Sequence, residues 1–280
     1  MSHARVNDCN IWYEITGTGT PLLQIGGSGF AHENFAPVSG KMAQHFQVID
    51  FDLRGYGGSD RPEQHYDMEV WADDCAALID ALGFDAVHVH GTSMGGMVAM
   101  KLAAKYPEKL RGLILSCTAA RCDRMFVSNL LVQKALAEAY GMGSEALALA
   151  MSAGALSAAF LDTPDGAATA TTIREVLDRN CSLSVFRAAV DAIVAMDLSA
   201  DLDRITAPTL VVCGDVDLLG GLDPGPSGIG NREISQRIPG AELAVMEGVG
   251  HANMLESPDE SVRIMVDFLE RVDTSAEVAV

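Results

Sequence analysis

Short apolar runs alternate with amphipathic stretches along most of the chain. The apolar runs at 6–15, 22–25, 46–52, 86–90, 110–117, 209–214 and 242–247 predict strands. Apolar residues at helical spacing predict helices over 67–82 and 94–106, near 231–238 and near 258–271. Strands that alternate with helices in this way are typical of a parallel sheet whose strands are joined by crossover helices. The pattern therefore predicts a fold of the α/β class with a mostly parallel central sheet.

The alternation stops between residues 121 and 203, where no run has the pattern of a strand. Alanine, leucine and methionine dominate this segment, which predicts several short helices. We interpret 121–203 as a helical cap inserted into a core that comprises 1–120 and 204–272. The last residues, 273–280, are predicted to fray, as chain ends without packing partners do.

The charge balance narrows the choice of partners. Acidic residues outnumber basic ones by 38 to 19, which gives a formal net charge of -19. Because like charges repel, this argues against nucleic acid and anionic lipid as partners. The longest uncharged run, 146–161, is shorter than the ~20 apolar residues of a membrane span, and the N-terminus lacks the apolar segment of a secretion signal. The sequence predicts a cytoplasmic protein that binds a small molecule, and it leaves a homo-oligomer open.

The six cysteines do not form a recognisable metal or disulfide pattern. They lie at 9, 75, 117, 122, 181 and 213, with no CxxC pair among them. Cys75, Cys117 and Cys213 fall inside apolar runs, where a free thiol behaves as a small hydrophobic group. We therefore predict no metal site and a reducing compartment.

One serine is placed as a nucleophile would be. Ser93 lies between Gly91 and Gly95, directly after a predicted strand and directly before a predicted helix. A G-x-S-x-G sequence in this setting forces a sharp turn that lifts the serine hydroxyl above the sheet. Gly95, Ala99 and Ala103 recur every fourth residue and allow the following helix to pack closely against the sheet. The alternative is a bystander serine in an ordinary glycine-rich turn.

A serine hydroxyl needs a base to become a useful nucleophile. His251 lies in the loop after the last predicted strand, where its ring can reach over the end of a parallel sheet. His88 and His90 lie inside the strand that precedes Ser93, and we interpret both as structural. His251 is therefore the predicted base, with a surface histidine as its alternative.

The base in turn needs a carboxylate that orients its ring. Asp217 is the favoured residue because it lies further into the loop after strand 209–214 than Asp215 does. Asp215 is expected to shape the turn instead, and Asp123 and Asp223 are the other candidates. The chain order Ser93, Asp217, His251 is the order of serine, acid and histidine in α/β hydrolases.

Developing negative charge on a substrate oxygen requires hydrogen-bond donors. The Met94 N–H is the predicted first donor because it follows the nucleophile at the start of a helix. The loop 25–30 is expected to supply the second, with the Ser28 N–H preferred and the Gly27 N–H next. These glycines do not match the G-x-G-x-x-G pattern that binds dinucleotides.

The assembled motifs resemble the α/β-hydrolase superfamily over nearly the whole chain. The resemblance rests on "GTSMGG", "DLRGYGGSD", "YPEKLRGLILS", "GDVD" and "GVGH", in that order. Within the superfamily, "LILSCTAAR" and "FRAAVDAIVAMDLSADLDRITAPTLVV" are similar to the 3-oxoadipate enol-lactonase group. The resemblance implies hydrolysis by Ser93, Asp217 and His251, a cap over the pocket and no cofactor.

Three departures from that group affect the predicted pocket. The oxyanion loop reads Gly26-Gly27 in place of the usual His-Gly pair, which removes a side chain that could anchor the loop. The segment after the acid is the longer "LLGGLDPGPSGIGN", and the cap has few aromatic residues. The expected substrate is therefore a small-molecule ester or lactone, and the sequence does not specify its acyl group.

Two other functions fit the same residues. A carbon–carbon bond hydrolase that acts on a vinylogous diketone would use the same triad, and "GSGFAHENF" is faintly similar to the oxyanion loop of that group. A small-molecule receptor built on this fold is the non-enzymatic alternative. Five arginines in or beside the predicted cap could also bind a substrate carboxylate. Their alternative role is to form ion pairs at the surface. They are Arg121, Arg124, Arg174, Arg179 and Arg187.

Overall fold

A computed structural model describes residues 2–63 and 65–278, which form an eight-stranded sheet flanked by helices. The strands are β1 (Ser2–Val6), β2 (Cys9–Thr16), β3 (Pro21–Ile25), β4 (Gln47–Phe51), β5 (Val87–Thr92), β6 (Leu110–Ser116), β7 (Thr209–Gly214) and β8 (Glu242–Met246). Their order across the sheet is β1-β2-β4-β3-β5-β6-β7-β8. All neighbours from β4 to β8 are parallel, whereas β1 and β2 add an antiparallel edge.

The helices fall into two groups: those that alternate with the strands, and those between β6 and β7, referred to as the helices that follow β6. The first group is α1 (Ser39–Met42), α2 (Met68–Ala81), α3 (Met94–Lys105), α10 (Asn231–Arg237), α11 (Asn253–Glu256) and α12 (Pro258–Val278). The second is α4 (Arg124–Tyr140), α5 (Glu145–Ala155), α6 (Ala158–Leu161), α7 (Pro164–Asn180), α8 (Leu183–Ala195) and α9 (Ser199–Leu202). Single 3-10 turns cover His32–Phe35 and Pro107–Lys109. The mostly parallel sheet with flanking helices confirms the predicted fold class.

The central strands are apolar because both faces of the sheet are covered by helices. Every residue of β5 and of β7 is buried, as expected for parallel strands between two helical layers. Five of the six helices that follow β6, all except α9, begin at polar side chains that accept a backbone N–H of the first turn, as N-caps do. These caps are Asp123, Ser144, Ser157, Thr163 and Ser182. No helix in the described residues is both long and apolar enough to span a bilayer.

The structure refines the sequence predictions at both ends of the chain. The strand predicted over 6–15 is β2, which begins only at Cys9; Asn7, at φ 52°, turns the chain before it, and an additional strand, β1, precedes that turn. The tail predicted to fray over 273–280 is helical as far as Val278, and 279–280 lie outside the described residues. Asp273 holds this last part of α12, since its carboxylate accepts a hydrogen bond from buried His88.

Candidate active site

Ser93 occupies a strained turn between β5 and α3. Its φ of 54° and ψ of -121° are rare for a residue with a side chain, and such strain concentrates at functional sites. The turn depends on two glycines, because a Cβ on Gly95 would collide with the Ile25 carbonyl and one on Gly91 with the Gly95 carbonyl. Strand β6 also holds Ser93 in place, since the Ser93 N–H donates to the Ser116 carbonyl at 3.0 Å. The predicted sharp turn is therefore present.

His251 connects Ser93 to Asp217. Its Nε2 lies 2.9 Å from the Ser93 Oγ, and its Nδ1 lies 3.0 Å from each carboxylate oxygen of Asp217. Helix α5 holds the backbone of the loop around His251, because the His251 N–H donates to the Ala155 carbonyl at 2.7 Å. The structure thus brings the three predicted side chains into one hydrogen-bonded row.

Asp217 is buried and yet suited to carry a negative charge. Burial opposes its ionisation, but the adjacent His251 and the N–H groups of Leu219 and Gly220 outweigh burial and lower the pKa of Asp217. An ionised Asp217 accepts the proton-bearing Nδ1 of His251. The other ring nitrogen is then free to accept a proton from Ser93.

The competing acids have other partners. Asp215 accepts the Gly248 N–H at 2.7 Å, so it contacts the loop before His251 and not, as the sequence predicted, only its own turn. Asp123 caps α4 and also accepts the Gly225 N–H, while Asp223 pairs with Arg232 at the surface. None of the three forms a hydrogen bond or ion pair with the His251 side chain.

His88 and His90 lie fully buried in β5, away from this row of side chains. His90 Nε2 lies 2.9 Å from the Ser116 Oγ, and burial lowers the pKa of His90 to about 3. Burial also lowers the pKa of His88, although its contact with Asp273 opposes the shift. Both histidines therefore stay neutral, which fits a structural role.

The three predicted oxyanion donors differ in whether their N–H groups already donate a hydrogen bond within the protein. Met94 is the first residue of α3, where an N–H has no acceptor within the helix. The Ser28 N–H donates to no acceptor in the described residues, and Ser28 lines the same cavity as Ser93. The Gly27 N–H instead donates to the Asn34 Oδ1 at 2.8 Å. The geometry therefore leaves Ser28 and Met94 as the available pair.

Sequence reasoning missed the side chains that hold the oxyanion loop. Asn34 anchors it through Gly27, and Asp52 accepts both the backbone N–H and the ring Nδ1 of His32 at 2.8 Å. The His32 ring also stacks on Trp12, with centroids 4.1 Å apart. These contacts hold the loop although Gly26 and Gly27 carry no side chain that could anchor it. The polar cluster "HEN" shortly after the glycines was the available signal.

A cavity of about 300 Å³ opens over Ser93. Its walls are mostly apolar and come from the oxyanion loop, the loop around His251 and the helices that follow β6. The apolar lining residues are Phe30, Ala36, Pro37, Phe126, Leu130, Met151, Ala155, Leu156, Ile173, Val176, Ile193, Leu219, Ala252, Met254 and Leu255. The polar ones, beside Ser28, Ser93 and His251, are Glu33, Asn34, Thr92, Gln133, Thr169 and Thr172.

The five arginines considered as substrate clamps do not line this cavity. Arg179 pairs with Glu33 at 2.8 Å, Arg121 with Asp197 at 3.3 Å and Arg187 with Glu138 at 2.9 Å. Arg124 and Arg174 are exposed on the surfaces of α4 and α7. Their observed contacts therefore match the alternative of ion pairs and solvated helix faces.

Comparison with known proteins supports the same family. A sequence model of the alpha/beta hydrolase fold matches residues 21–258. The chain is 28% identical to a putative carbamate hydrolase of Azorhizobium caulinodans over 278 residues, which cover 98% of this chain and all of that protein. It is 31% identical to the pimeloyl-[acyl-carrier protein] methyl ester esterase of Neisseria meningitidis over 261 residues, or 89% of this chain and 93% of the esterase.

A solved structure agrees in architecture. The enol-lactonase of Burkholderia xenovorans superposes with a TM-score of 0.83 and 27% identity, covering 96% of this chain and all of the lactonase. The match includes both the sheet and the helices after β6, because it extends over nearly the entire chain. Sequence, fold and relatives together show that this chain is a hydrolase of the α/β-hydrolase fold family.

Proposed function

We propose that this chain hydrolyses an ester or lactone of a small molecule through an acyl-enzyme intermediate on Ser93. The observation that carries the proposal is the row Ser93 Oγ, His251 Nε2, His251 Nδ1 and Asp217, with each contact at 3.0 Å or less. The esterase and lactonase names of the relatives favour the same bond type.

The first half of the reaction transfers the acyl group to the enzyme. Ser93 Oγ attacks the substrate carbonyl carbon while His251 Nε2 takes the hydroxyl proton. The N–H groups of Met94 and Ser28 stabilise the negative oxygen of the tetrahedral intermediate. When the intermediate collapses, His251 returns the proton to the leaving oxygen and the acyl group stays on Ser93.

The second half restores the enzyme by the same groups. His251 takes a proton from a water molecule, whose oxygen attacks the acyl carbon. The new tetrahedral intermediate collapses, the proton returns to Ser93 Oγ, and the carboxylic acid is released. Asp217 stabilises the protonated imidazole in both halves, which is why its own ionisation matters.

A substrate panel tests the proposal. Purified protein should turn over p-nitrophenyl esters or simple lactones, and Ser93→Ala should reduce kcat by several orders of magnitude. Ser128→Ala, at an exposed serine of α4, is the matched control and should retain activity. Full activity in Ser93→Ala would contradict the proposal.

The panel also separates the two alternatives. Preferred turnover of a vinylogous diketone over every ester and lactone would assign carbon–carbon bond hydrolysis to the site. A single stoichiometric labelling of Ser93 without steady turnover of p-nitrophenyl acetate would assign a receptor. Steady hydrolysis of esters or lactones supports the proposed function against both.

A further inference from the structure

The charged groups around the cavity favour an uncharged substrate. Glu33 is the one carboxylate among the lining residues, and no lysine or arginine is present among them. The remaining walls of the cavity are apolar side chains, hydroxyls, the amides of Asn34 and Gln133 and the His251 imidazole. A ligand that enters therefore meets a negative charge and no side chain with a fixed positive charge.

Arg179, which pairs with the lining residue Glu33, is already engaged. Arg179 donates to the Glu33 Oε1 at 2.8 Å, and the neighbouring Asn180 donates to the Glu33 Oε2 at 2.9 Å. The Arg179 side chain is 60% exposed, so its charge is shared between Glu33 and solvent. Because both Glu33 oxygens hold partners from the end of α7, this pair offers no spare cation to a substrate carboxylate.

Gln133 offers the cavity a neutral polar group. Gln133 is buried on α4, and its amide nitrogen donates to the Asn129 Oδ1 at 2.5 Å. The Gln133 Oε1 accepts no hydrogen bond from the described residues. Such an amide can satisfy a neutral polar group on a ligand, whereas it cannot neutralise a charge.

Transfer of a carboxylate into these surroundings would be unfavourable. An ionised group that leaves water without a charged partner loses far more hydration free energy than a neutral group of the same size. Glu33 cannot attract a carboxylate, and it holds the Arg179 charge in an ion pair that is then not available to the ligand. An uncharged acyl chain instead gains free energy from contact with Leu130, Ile173 and the other apolar walls.

We propose that the cavity over Ser93 takes uncharged esters or lactones and discriminates against acyl groups that end in a carboxylate. The inference rests on the proposed function for the position of the scissile bond. It narrows that function to one substrate class and makes Glu33 a specificity-determining residue.

Two esters of equal chain length test the discrimination. We expect kcat/KM for p-nitrophenyl hexanoate to exceed that for mono-p-nitrophenyl adipate by roughly 100-fold at pH 7, since only the adipate carries a charge. The methyl ester of the adipate compound restores neutrality and should recover most of the loss. Values for hexanoate and the charged adipate within threefold of each other would overturn the inference.

A matched pair of variants tests the part played by Glu33. Glu33→Gln removes the negative charge and releases Arg179, so we expect the adipate-to-hexanoate ratio of kcat/KM to rise roughly tenfold. Glu108→Gln makes the same change of charge at an exposed site outside the cavity and should leave the ratio unchanged. An unchanged ratio in Glu33→Gln would show that Glu33 does not determine specificity.

Binding without turnover separates this inference from the proposed function. Calorimetry on Ser93→Ala should detect ethyl hexanoate and not monoethyl adipate at the same concentration. If native protein hydrolyses neither ester while Ser93→Ala still prefers the uncharged one, the inference stands and the proposed hydrolysis is wrong. Equal binding of the two, or binding of neither, would contradict the inference.

Discussion

The carboxyl edge of the sheet and the helical segment 124–202 contribute different things to the site. The sheet edge provides Ser93, Asp217 and His251, which are joined by hydrogen bonds of 3.0 Å or less. The helical segment provides apolar walls and, at Ala155, one backbone carbonyl that holds the His251 loop. Changes at the sheet edge should therefore alter the chemical step, whereas changes in the helices should alter which substrate is accepted.

The largest expected effect lies at the sheet edge. Asp217→Asn keeps the size of the side chain but removes the charge that fixes the His251 tautomer, so kcat should fall by about 10⁴-fold. Asp215→Asn is the matched control, because Asp215 is two residues away and an asparagine Oδ1 can still accept the Gly248 N–H. Steady-state kinetics with p-nitrophenyl hexanoate measure both. Equal losses in the two variants would mean that Asp217 acts only through loop structure.

Two adjacent leucines on α4 test whether the helical segment determines which substrate is accepted. Leu130 lines the cavity at 6% exposure, while Leu131 is 47% exposed to solvent. Leu130→Ala removes apolar contact with a long acyl chain, so kcat/KM should fall about tenfold for p-nitrophenyl hexanoate and hardly at all for the acetate. Leu131→Ala should change neither value. A similar loss for both esters in Leu130→Ala would indicate general damage to the fold.

The smallest effect is expected from a histidine that contacts neither the nucleophile nor the cavity. The pKa of His90 is lowered to about 3 by burial, so between that pH and the ordinary imidazole pKa the unfolded chain binds a proton that the folded chain does not. The free energy of unfolding should therefore decrease as the pH falls from 7 to 4. His90→Gln should make this decrease shallower in urea titrations.

The exposed His65 supplies the control for that experiment. His65→Gln changes a histidine whose side chain is 81% exposed, and it should leave the pH slope of wild type unchanged. Identical slopes for His90→Gln and wild type would show that buried His90 does not contribute to acid sensitivity.

The arrangement at the sheet edge was predictable because each of its residues follows a recognisable strand. The carboxyl ends of parallel strands meet along one edge, so Ser93, Asp217 and His251 converge although they are far apart in sequence. The glycines around Ser93 added a local signal, since only small residues fit the contacts there. The fold class followed from the same alternation of strands and helices.

Features set by long-range side-chain contacts were not predictable from spacing. The end of α12 is held by Asp273 against His88, a pair separated by 185 positions. The Gly27 N–H is taken by Asn34, so the choice between Gly27 and Ser28 as donor depended on a side chain outside the glycine motif. The edge strand β1 was missed because Ser2, His3 and Arg5 are polar and exposed and so show no apolar pattern.

The most direct test of the account is covalent labelling of the native protein during steady turnover of p-nitrophenyl hexanoate. One equivalent of a fluorophosphonate should abolish turnover, and peptide mass spectrometry should locate a single adduct on Ser93 that is absent from Ser93→Ala. A label on a different residue, or turnover that survives complete modification of Ser93, would contradict the claim that Ser93 is the nucleophile.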